Sequence, residues 1–147
     1  MKKLSEIIGD PEASGVYLYE DPLRPQELER PIKGQGPAFF HIRGKDIRDK
    51  DQFLRSCAET LQFPDYFGAN WDALEDCLTD MSWNVSEGYV IVYDHFHFLA
   101  ENSPGDFHTA VQIFRESARF WRKEGKAFLV VLHGKGIEGQ DLPSVKH

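Results

Sequence analysis

Three largely apolar runs mark the chain from residue 38 on: AFFHI at 38–42, YVIVY at 89–93 and AFLVVL at 127–132. The second and third runs are continuously apolar and do not alternate with polar residues, so both of their faces are expected to be buried. Burial on both faces is typical of the central strands of a parallel sheet. The three runs therefore predict three strands of one sheet.

Helical spacing fills the intervals between these runs. Asp49, with Gln52 three residues later, has the sequence of a capping pair, and Asp106 precedes a second helical pattern that ends at Gly125. The first interval is long enough for two helices. Strands that alternate with helices predict an α/β domain with a small, mostly parallel sheet. The apolar positions of the two patterns are Phe53, Leu54, Cys57, Ala58 and Leu61, and Phe107, Ala110, Val111, Phe114, Ala118 and Trp121.

Residues 1–37 differ in composition, because they hold five of the eight prolines of the chain. KKLSEII predicts a short helix and VYLYE, at 16–20, a short strand, but the density of prolines favours irregular structure. We interpret 1–37 as an irregular N-terminal extension that packs on the domain or is loosely attached to it. The folded domain is then 38–135, and 136–147 form a C-terminal tail.

The totals are those of one folded domain. A chain of 147 residues can bury one core, and 41% of its residues are hydrophobic. The N-terminus lacks the unbroken apolar core of a secretory signal, and no apolar run approaches the ~18 residues that span a bilayer. We therefore expect a cytoplasmic protein without a membrane partner. Cys57 and Cys77 lie at apolar positions, which favours reduced, packed thiols.

The negative charge of the chain is concentrated in one segment. The formal net charge is −7. The 59 residues between Arg55 and Arg115 contain ten acids and no Lys or Arg. Such a field disfavours a nucleic-acid partner and attracts a basic protein. An acidic face that only keeps the protein soluble is the alternative that charge alone leaves open.

Within that segment, FPDYFGANWDALEDCLTD at 63–80 predicts a helix that begins after a turn. Gly68 can adopt a positive φ at no steric cost, and Asn70 is a favourable N-cap, so the helix is expected at 71–80. At helical spacing its apolar side consists of Trp71, Leu74, Cys77, Leu78 and Met81.

The other side of this predicted helix carries like charges in a row. Asp72 in the first turn is favoured by the helix dipole, but Asp76 and Asp80 follow at i, i+4 spacing, and the helix contains no base. Each such pair costs about 0.2–0.5 kcal/mol. Glu75 and Thr79 lie beside the row. A helix that keeps these charges is expected to present them to a positive group outside the protein.

The string FPDYFGANWDALEDCLT resembles the central motif of the barstar family, the intracellular inhibitors of secreted guanyl-preferring ribonucleases. The likeness extends from about 38 to 132, through AFFHIRGKDIRDKDQF, GYVIVYD, VQIFRESA and EGKAFLVVL. It implies a barstar-like fold, with a three-stranded parallel sheet and about four helices. It also implies one-to-one binding of a basic ribonuclease whose active site is blocked, with no catalysis, cofactor or metal.

Carried over by position, the resemblance assigns roles to single residues. Tyr66 packs on the nuclease, Gly68 and Asn70 shape the loop, Asp72 meets basic groups, and Asp76 enters the catalytic cleft in place of the RNA phosphate. Glu116, in the last helix, matches a further acidic contact. The expected partner-binding set is Tyr66, Phe67, Gly68, Asn70, Asp72, Glu75, Asp76, Thr79, Asp80 and Glu116.

The chain departs from the best-known member of the family at three positions of the motif. Glu75 replaces a Trp, Phe67 a Tyr and Ala69 an acid. The last helix is also about one turn longer, so Glu124 is displaced from its counterpart. The inhibitor hypothesis survives these changes, while the target nuclease stays open. One variant of the hypothesis is an immunity protein against the ribonuclease toxin of a competitor.

Two other classes of function remain as alternatives. Asp76, with Asp72 or Glu75, would be an acid–base pair of a hydrolase if it lay in a cleft that raised a carboxyl pKa. Asp94, His95 and His97 would be metal ligands if the two histidines pointed the same way at a strand end, with His108 as a possible fourth.

Overall fold

The computed structural model of the protein describes residues 2–22, 36–65, 68–136 and 140–146. Within these ranges six parallel strands form one sheet, in the order β1-β6-β2-β5-β4-β3. The strands are β1 (Lys2–Lys3), β2 (Gly15–Tyr19), β3 (Ala38–Arg43), β4 (Gly88–Asp94), β5 (Ala127–His133) and β6 (Ser144–Lys146).

Five α-helices occur in the same ranges. They are α1 (Leu4–Ile7), α2 (Lys50–Thr60), α3 (Trp71–Leu78), α4 (His97–Asn102) and α5 (Pro104–Lys123). Three short 3-10 helices span Pro11–Ala13, Gly44–Asp46 and Ser82–Asn84. In the described part of the chain, no helix combines the length and the apolar character that crossing a membrane requires.

The predicted three-stranded sheet is wrong, although the α/β class and the three strands at 38–42, 89–93 and 127–132 are confirmed. The sheet has six strands because β2 pairs with β5 along its whole length, from Gly15 opposite Leu129 to Tyr19 opposite His133. On its other side β2 pairs with β6, which in turn pairs with β1. Without β2, the backbone of β5 would be an open edge.

The three additional strands give weak signals in the sequence. β2 was predicted as a short strand but was assigned to an irregular extension because of the prolines around it. β1 and β6 are two and three residues long, too short for any periodicity to show. The domain boundaries at 37 and 135 stay a prediction, while the sheet takes strands from both sides of them.

The sheet has an apolar cluster on each face. Phe53, Leu74 and Phe114 bring α2, α3 and α5 to the face formed by Ile91 and Val130. The opposite face carries a separate cluster, whose buried members are Leu4, Ile7, Ala13, Tyr19, Val90, Val92, Leu129, Val131 and Val145. Because β4 and β5 are buried on both sides, their continuous apolar runs are explained.

The two long helices end in the same way but with different residues. At the end of α5, Gly125 has φ +77° and the N–H of Lys126 donates to the Trp121 carbonyl at 2.9 Å. At the end of α2, Gln62 takes the equivalent position with φ +56°, and the N–H of Phe63 donates to the Ala58 carbonyl at 2.9 Å. Both are Schellman ends, in which the left-handed residue is usually glycine.

We predict that Gln62→Gly stabilises the protein by about 0.5–1 kcal/mol, because glycine adopts the left-handed conformation without the steric cost of a side chain. The side chain of Gln62 is exposed, so little packing is lost. Urea unfolding followed by circular dichroism measures the change in the free energy of unfolding.

Gly125→Ala is the matched control, with the opposite sign: it is expected to destabilise by about 1 kcal/mol for the same reason. An Ala at Gly125 meets no atom within 4 Å, so any effect comes from the backbone. Equal effects of the two substitutions would contradict the Schellman interpretation.

Candidate functional site

The start of α3 follows the prediction. The Asn70 Oδ1 accepts a hydrogen bond from the Ala73 N–H at 2.8 Å, which confirms Asn70 as the N-cap. The helix ends at Leu78, two residues earlier than predicted. Thr79 is its C-cap, and the Thr79 hydroxyl donates to the Glu75 carbonyl at 2.8 Å.

The loop before α3 differs from the prediction in its turn residue. The positive φ lies at Ala69, at +51°, and not at Gly68. Gly68 instead lies against the Asn70 side-chain amide. The Asn70 Nδ2 donates to the Gly68 carbonyl at 3.4 Å, and a Cβ added at Gly68 would lie 3.3 Å from the same Nδ2. Tyr66 and Phe67, predicted as contact residues, lie outside the described residues.

The inner side of α3 fixes its orientation. Leu74, Cys77, Leu78 and Met81 are buried, as the helical spacing predicts. The Trp121 indole N–H of α5 donates to the Leu78 carbonyl at 2.8 Å, so the last turn of α3 is held against α5. Trp71, the remaining residue of the apolar side, is half-buried and packs at 6.0 Å on Phe53 of the core.

The outer side of α3 carries what we call the acidic ridge: Asp72, Asp76 and Asp80. All three side chains are exposed, as is that of Glu75. Among the residues that the structure describes, no Lys, Arg or His forms an ion pair with any of these four acids. Asp80 lies in the turn after α3, where it accepts a hydrogen bond from the Ser82 hydroxyl at 3.3 Å.

The carboxylates of the ridge also affect the pKa of a buried thiol beneath them. Burial raises the pKa of the Cys77 thiol, and the carboxylates of Asp80 and Asp76 raise it further. The thiol is therefore protonated at neutral pH, and the negative charge of this surface belongs to the carboxylates.

Glu116 differs from the ridge acids because it has a partner. It lies on α5, and both of its carboxylate oxygens accept from the Arg119 guanidinium, at 3.0 and 3.2 Å. Both side chains are largely exposed. The charge of Glu116 is thus partly offset by Arg119, while no described residue offsets the charges of the ridge.

Among the described residues, none of the pockets that supply a cleft is lined by the acids of the acid–base alternative. Asp72, Glu75 and Asp76 stand on the exposed side of a helix. A shallow pocket of about 250 Å³ does adjoin the loop before α3, but none of these acids contributes to its wall. Its lining residues are Asp51, Leu54, Arg55, Ala58 and Ala69.

The metal alternative fails on geometry within the described residues. β4 ends at Asp94 and His97 already belongs to α4, so His95 and His97 do not share a strand. The carboxylate of Asp94 is occupied by hydrogen bonds within the protein, described below. No group of three or more His, Cys, Asp or Glu in the described part could hold a metal ion, and none forms around His108.

Asp94 has a structural role that the sequence reading missed. Its buried carboxylate accepts from the His41 Nε2 at 2.9 Å and the Gly44 N–H at 2.8 Å, and lies 3.3 Å from the His95 Nδ1. Burial alone would raise the pKa of Asp94, but the bonds from His41, Gly44 and His95 outweigh it and lower the pKa to about 2. His41 meets Asp94 only because β3 pairs with β4 in this register, and a single sequence does not display the register of two strands.

The sequence model described as "Barstar (barnase inhibitor)" matches residues 38–133, about two thirds of the chain. The chain belongs to the barstar family. The match includes β3, β4, β5 and α3, and membership of an inhibitor family implies a ribonuclease as partner in general and an inhibitory domain rather than a catalytic one.

Among solved structures, this barstar-family protein resembles the Aeropyrum pernix ORC2 protein, determined as ADPNP–ADP complexes. The TM-score is 0.56 at 12% sequence identity, so the likeness concerns the fold alone. The match covers 90% of this chain, and the chain spans only 37% of that protein. Because the likeness covers 90% of the chain, it extends well beyond residues 38–133.

We predict that Asp76→Asn stabilises the free protein by about 0.2–0.5 kcal/mol, because it removes the like-charge pair with Asp72 at i, i+4 spacing. Chemical denaturation at low ionic strength measures the difference. Near 1 M salt the difference should disappear, since the screening length falls to about 3 Å. A destabilised variant would indicate that Asp76 has a partner within the protein.

We also predict that Asp94 stabilises the fold above about pH 4 and loses this contribution as the pH falls through about 2. The sign follows because its pKa is lower in the folded than in the unfolded state. The contribution at pH 7 is about 2 kcal/mol. Urea unfolding of Asp94→Asn and wild type should therefore differ at pH 7 and converge towards pH 2.

The exposed Asp46 supplies the control, because at pH 7 Asp46→Asn should change the free energy of unfolding much less than Asp94→Asn does. A difference between Asp94→Asn and wild type that stays constant from pH 7 to pH 2 would contradict the role assigned to the Asp94 carboxylate.

Proposed function

We propose that this protein inhibits a basic ribonuclease of the guanyl-preferring type by placing the acidic ridge in its active site. The observation that carries the proposal is the absence, among described residues, of any internal cation paired with Asp72 and Asp76. These exposed acids lie on a capped helix inside the segment that matches the family.

The chemistry of such an active site explains why carboxylates suit it. A ribonuclease binds the phosphate of RNA with cationic side chains, and a carboxylate accepts charge-assisted hydrogen bonds from the same groups. In the proposed complex Asp76 takes the position of the phosphate and Asp72 meets basic groups beside it. Once water is excluded, each interaction is stronger than at an open surface.

The remaining contact residues are assigned to the edges of this surface. Gly68 and Asn70 hold the loop that precedes α3, and Tyr66 and Phe67 are assigned contacts with the nuclease by their positions in the family motif. Beyond the ridge, Glu75, Thr79 and Asp80 border the contact, with Glu116 on α5 at its far side. The Thr79 hydroxyl already donates to a carbonyl, so it is free only to accept.

Charge also governs how the two proteins meet. A segment with ten acids and no Lys or Arg attracts a basic nuclease over several ångströms and raises the association rate at low salt. We propose a one-to-one complex that forms in the cytoplasm and needs neither cofactor nor metal.

A second form of the proposal concerns the origin of the target. The same surface would serve an immunity protein that neutralises the ribonuclease toxin of a competitor, since both targets present a cationic RNA-binding groove. The gene beside this one distinguishes the two, because toxin and immunity genes are expected as neighbours.

The likeness to a protein solved with adenine nucleotides does not add a nucleotide site to the proposal. The sequence contains no G-x-x-x-x-G-K-[ST] loop. β2 is followed directly by Glu20 and Asp21, whose negative charges oppose a phosphate at that sheet edge.

We predict that the purified protein inhibits barnase or a related basic ribonuclease, and that Asp76→Ala weakens the complex by about 3 kcal/mol or more. The partner's cationic groups would then be left buried without an anion. At about 1.4 kcal/mol per factor of ten, this is over a hundredfold in the inhibition constant. Inhibition of RNA cleavage across a concentration series gives this constant.

Glu6→Ala is the matched control, since Glu6 is an exposed acid on α1, which packs on the other face of the sheet. It should leave inhibition unchanged at all salt concentrations. If no basic ribonuclease is inhibited, the proposed function fails. If Asp76→Ala inhibits as well as wild type, Asp76 has no place in the contact.

A further inference from the structure

One exposed aromatic side chain on α5 has no role in the contact surface proposed above. In the described part of the chain, two large hydrophobic residues are exposed by more than a third, Val85 at 74% and Phe120 at 37%. Val85 stands in the loop before β4. Phe120 is on α5, one turn after Glu116, and α5 contacts α3.

The two flanks of α5 show which way Phe120 faces. Arg115, Arg119 and Arg122 line a groove together with β2, so this flank is directed towards β2. A residue advances about 100° around a helix, and Phe120 is therefore turned away from Arg119 and from that groove. It lies on the same flank as Glu116, four residues earlier, and its ring contacts that of Trp121, whose indole N–H donates to the Leu78 carbonyl at the end of α3.

The ring of Phe120 has a fixed neighbour. It packs edge-to-face on Trp121, with 5.1 Å between centroids and an interplanar angle of 84°. Trp121 is buried and also packs on Tyr89 at 5.4 Å. An aromatic side chain held in this way loses little conformational freedom on binding, which favours its use in an interface.

One acid on the same flank of α5 as Phe120 is already paired. Glu116, at i−4 on the same side of the helix, is bound by Arg119 through both oxygens. α5 therefore offers a basic partner less net charge than the ridge does. What it offers is apolar surface beside charge, the arrangement in which aromatic residues contribute to protein interfaces.

We infer that Phe120 is a further contact residue of the inhibitor surface, and that the partner ribonuclease has an apolar side chain or pocket beside its cationic groove to receive it. The inference rests on the proposed function and deepens it. The acidic ridge governs the rate of encounter, while Phe120 prolongs the lifetime of the complex.

The size of the effect follows from the area still exposed. Aromatic side chains bury 150–250 Å² in full, so an exposure of 37% leaves roughly 60–90 Å² for the partner. Burial of the smaller of these areas corresponds to about a tenfold change in affinity. Because most affinity differences at one interface appear in dissociation, the change is expected in the dissociation rate.

The test measures association and dissociation rates by surface plasmon resonance against the ribonuclease that wild type inhibits. Phe120→Ala should raise the dissociation rate about tenfold and leave the association rate and its salt dependence unchanged. Phe120→Leu, which keeps an apolar side chain, should retain most of the lifetime. Val85→Ala is the control, because it removes exposed apolar surface from the loop before β4, and it should change neither rate.

Thermal unfolding of each variant verifies that the fold is intact. Should Phe120→Ala unfold at the assay temperature, Phe120→Gln, which keeps the length of the side chain but not its apolar character, takes its place with the same expectation. Unchanged dissociation in the folded variant, while Asp76→Ala weakens binding, would overturn the role of Phe120 and leave the proposed function intact. If wild type binds no basic ribonuclease, the proposed function fails, and the role of Phe120 with it.

Discussion

The packing of the inner side of α3 is the interaction on which the rest of the surface depends. Burial of Leu74 and Leu78 contributes about 1.5–3 kcal/mol for each side chain. The repulsion between Asp72 and Asp76 costs about 0.2–0.5 kcal/mol. The core therefore determines where the helix lies, and its outer side is free to carry charges that would not be chosen for stability. Because burial contributes more free energy than the repulsion costs, a short helix whose acids pair with no described residue remains folded.

The position of α3 depends in turn on the sheet beneath it. β4 and β5 supply the apolar floor for α2, α3 and α5 on one face, and the other face is a second apolar cluster with α1. Asp94 joins the end of β3, the turn at Gly44 and the end of β4 through one buried carboxylate. The polar residues at this sheet edge thus stabilise the fold, although their types resemble those of a metal site.

The sequence predicted the elements that have a strong local pattern, and it missed those whose structure depends on distant partners. The runs at 89–93 and 127–132 are apolar throughout, and Asn70 caps its own helix, so local information was sufficient for both. β6 has three residues and becomes a strand only because β2 and β1 lie beside it. Asp94 and His41 are 53 residues apart, and Ala69 takes the positive φ that Gly68 was expected to have. These contacts arise from register and packing, which one sequence does not display.

The placement of β2 bears on how the protein is made. This strand is synthesised well before its partners β5 and β6, because Gly15 pairs with Leu129 and Leu18 with Ser144. Translation must pass residue 133 before the centre of the sheet can close, and pairing between such distant segments is slow because the intervening loop must first be ordered. A nascent chain would therefore hold β2 without its partners while the segments between them are synthesised.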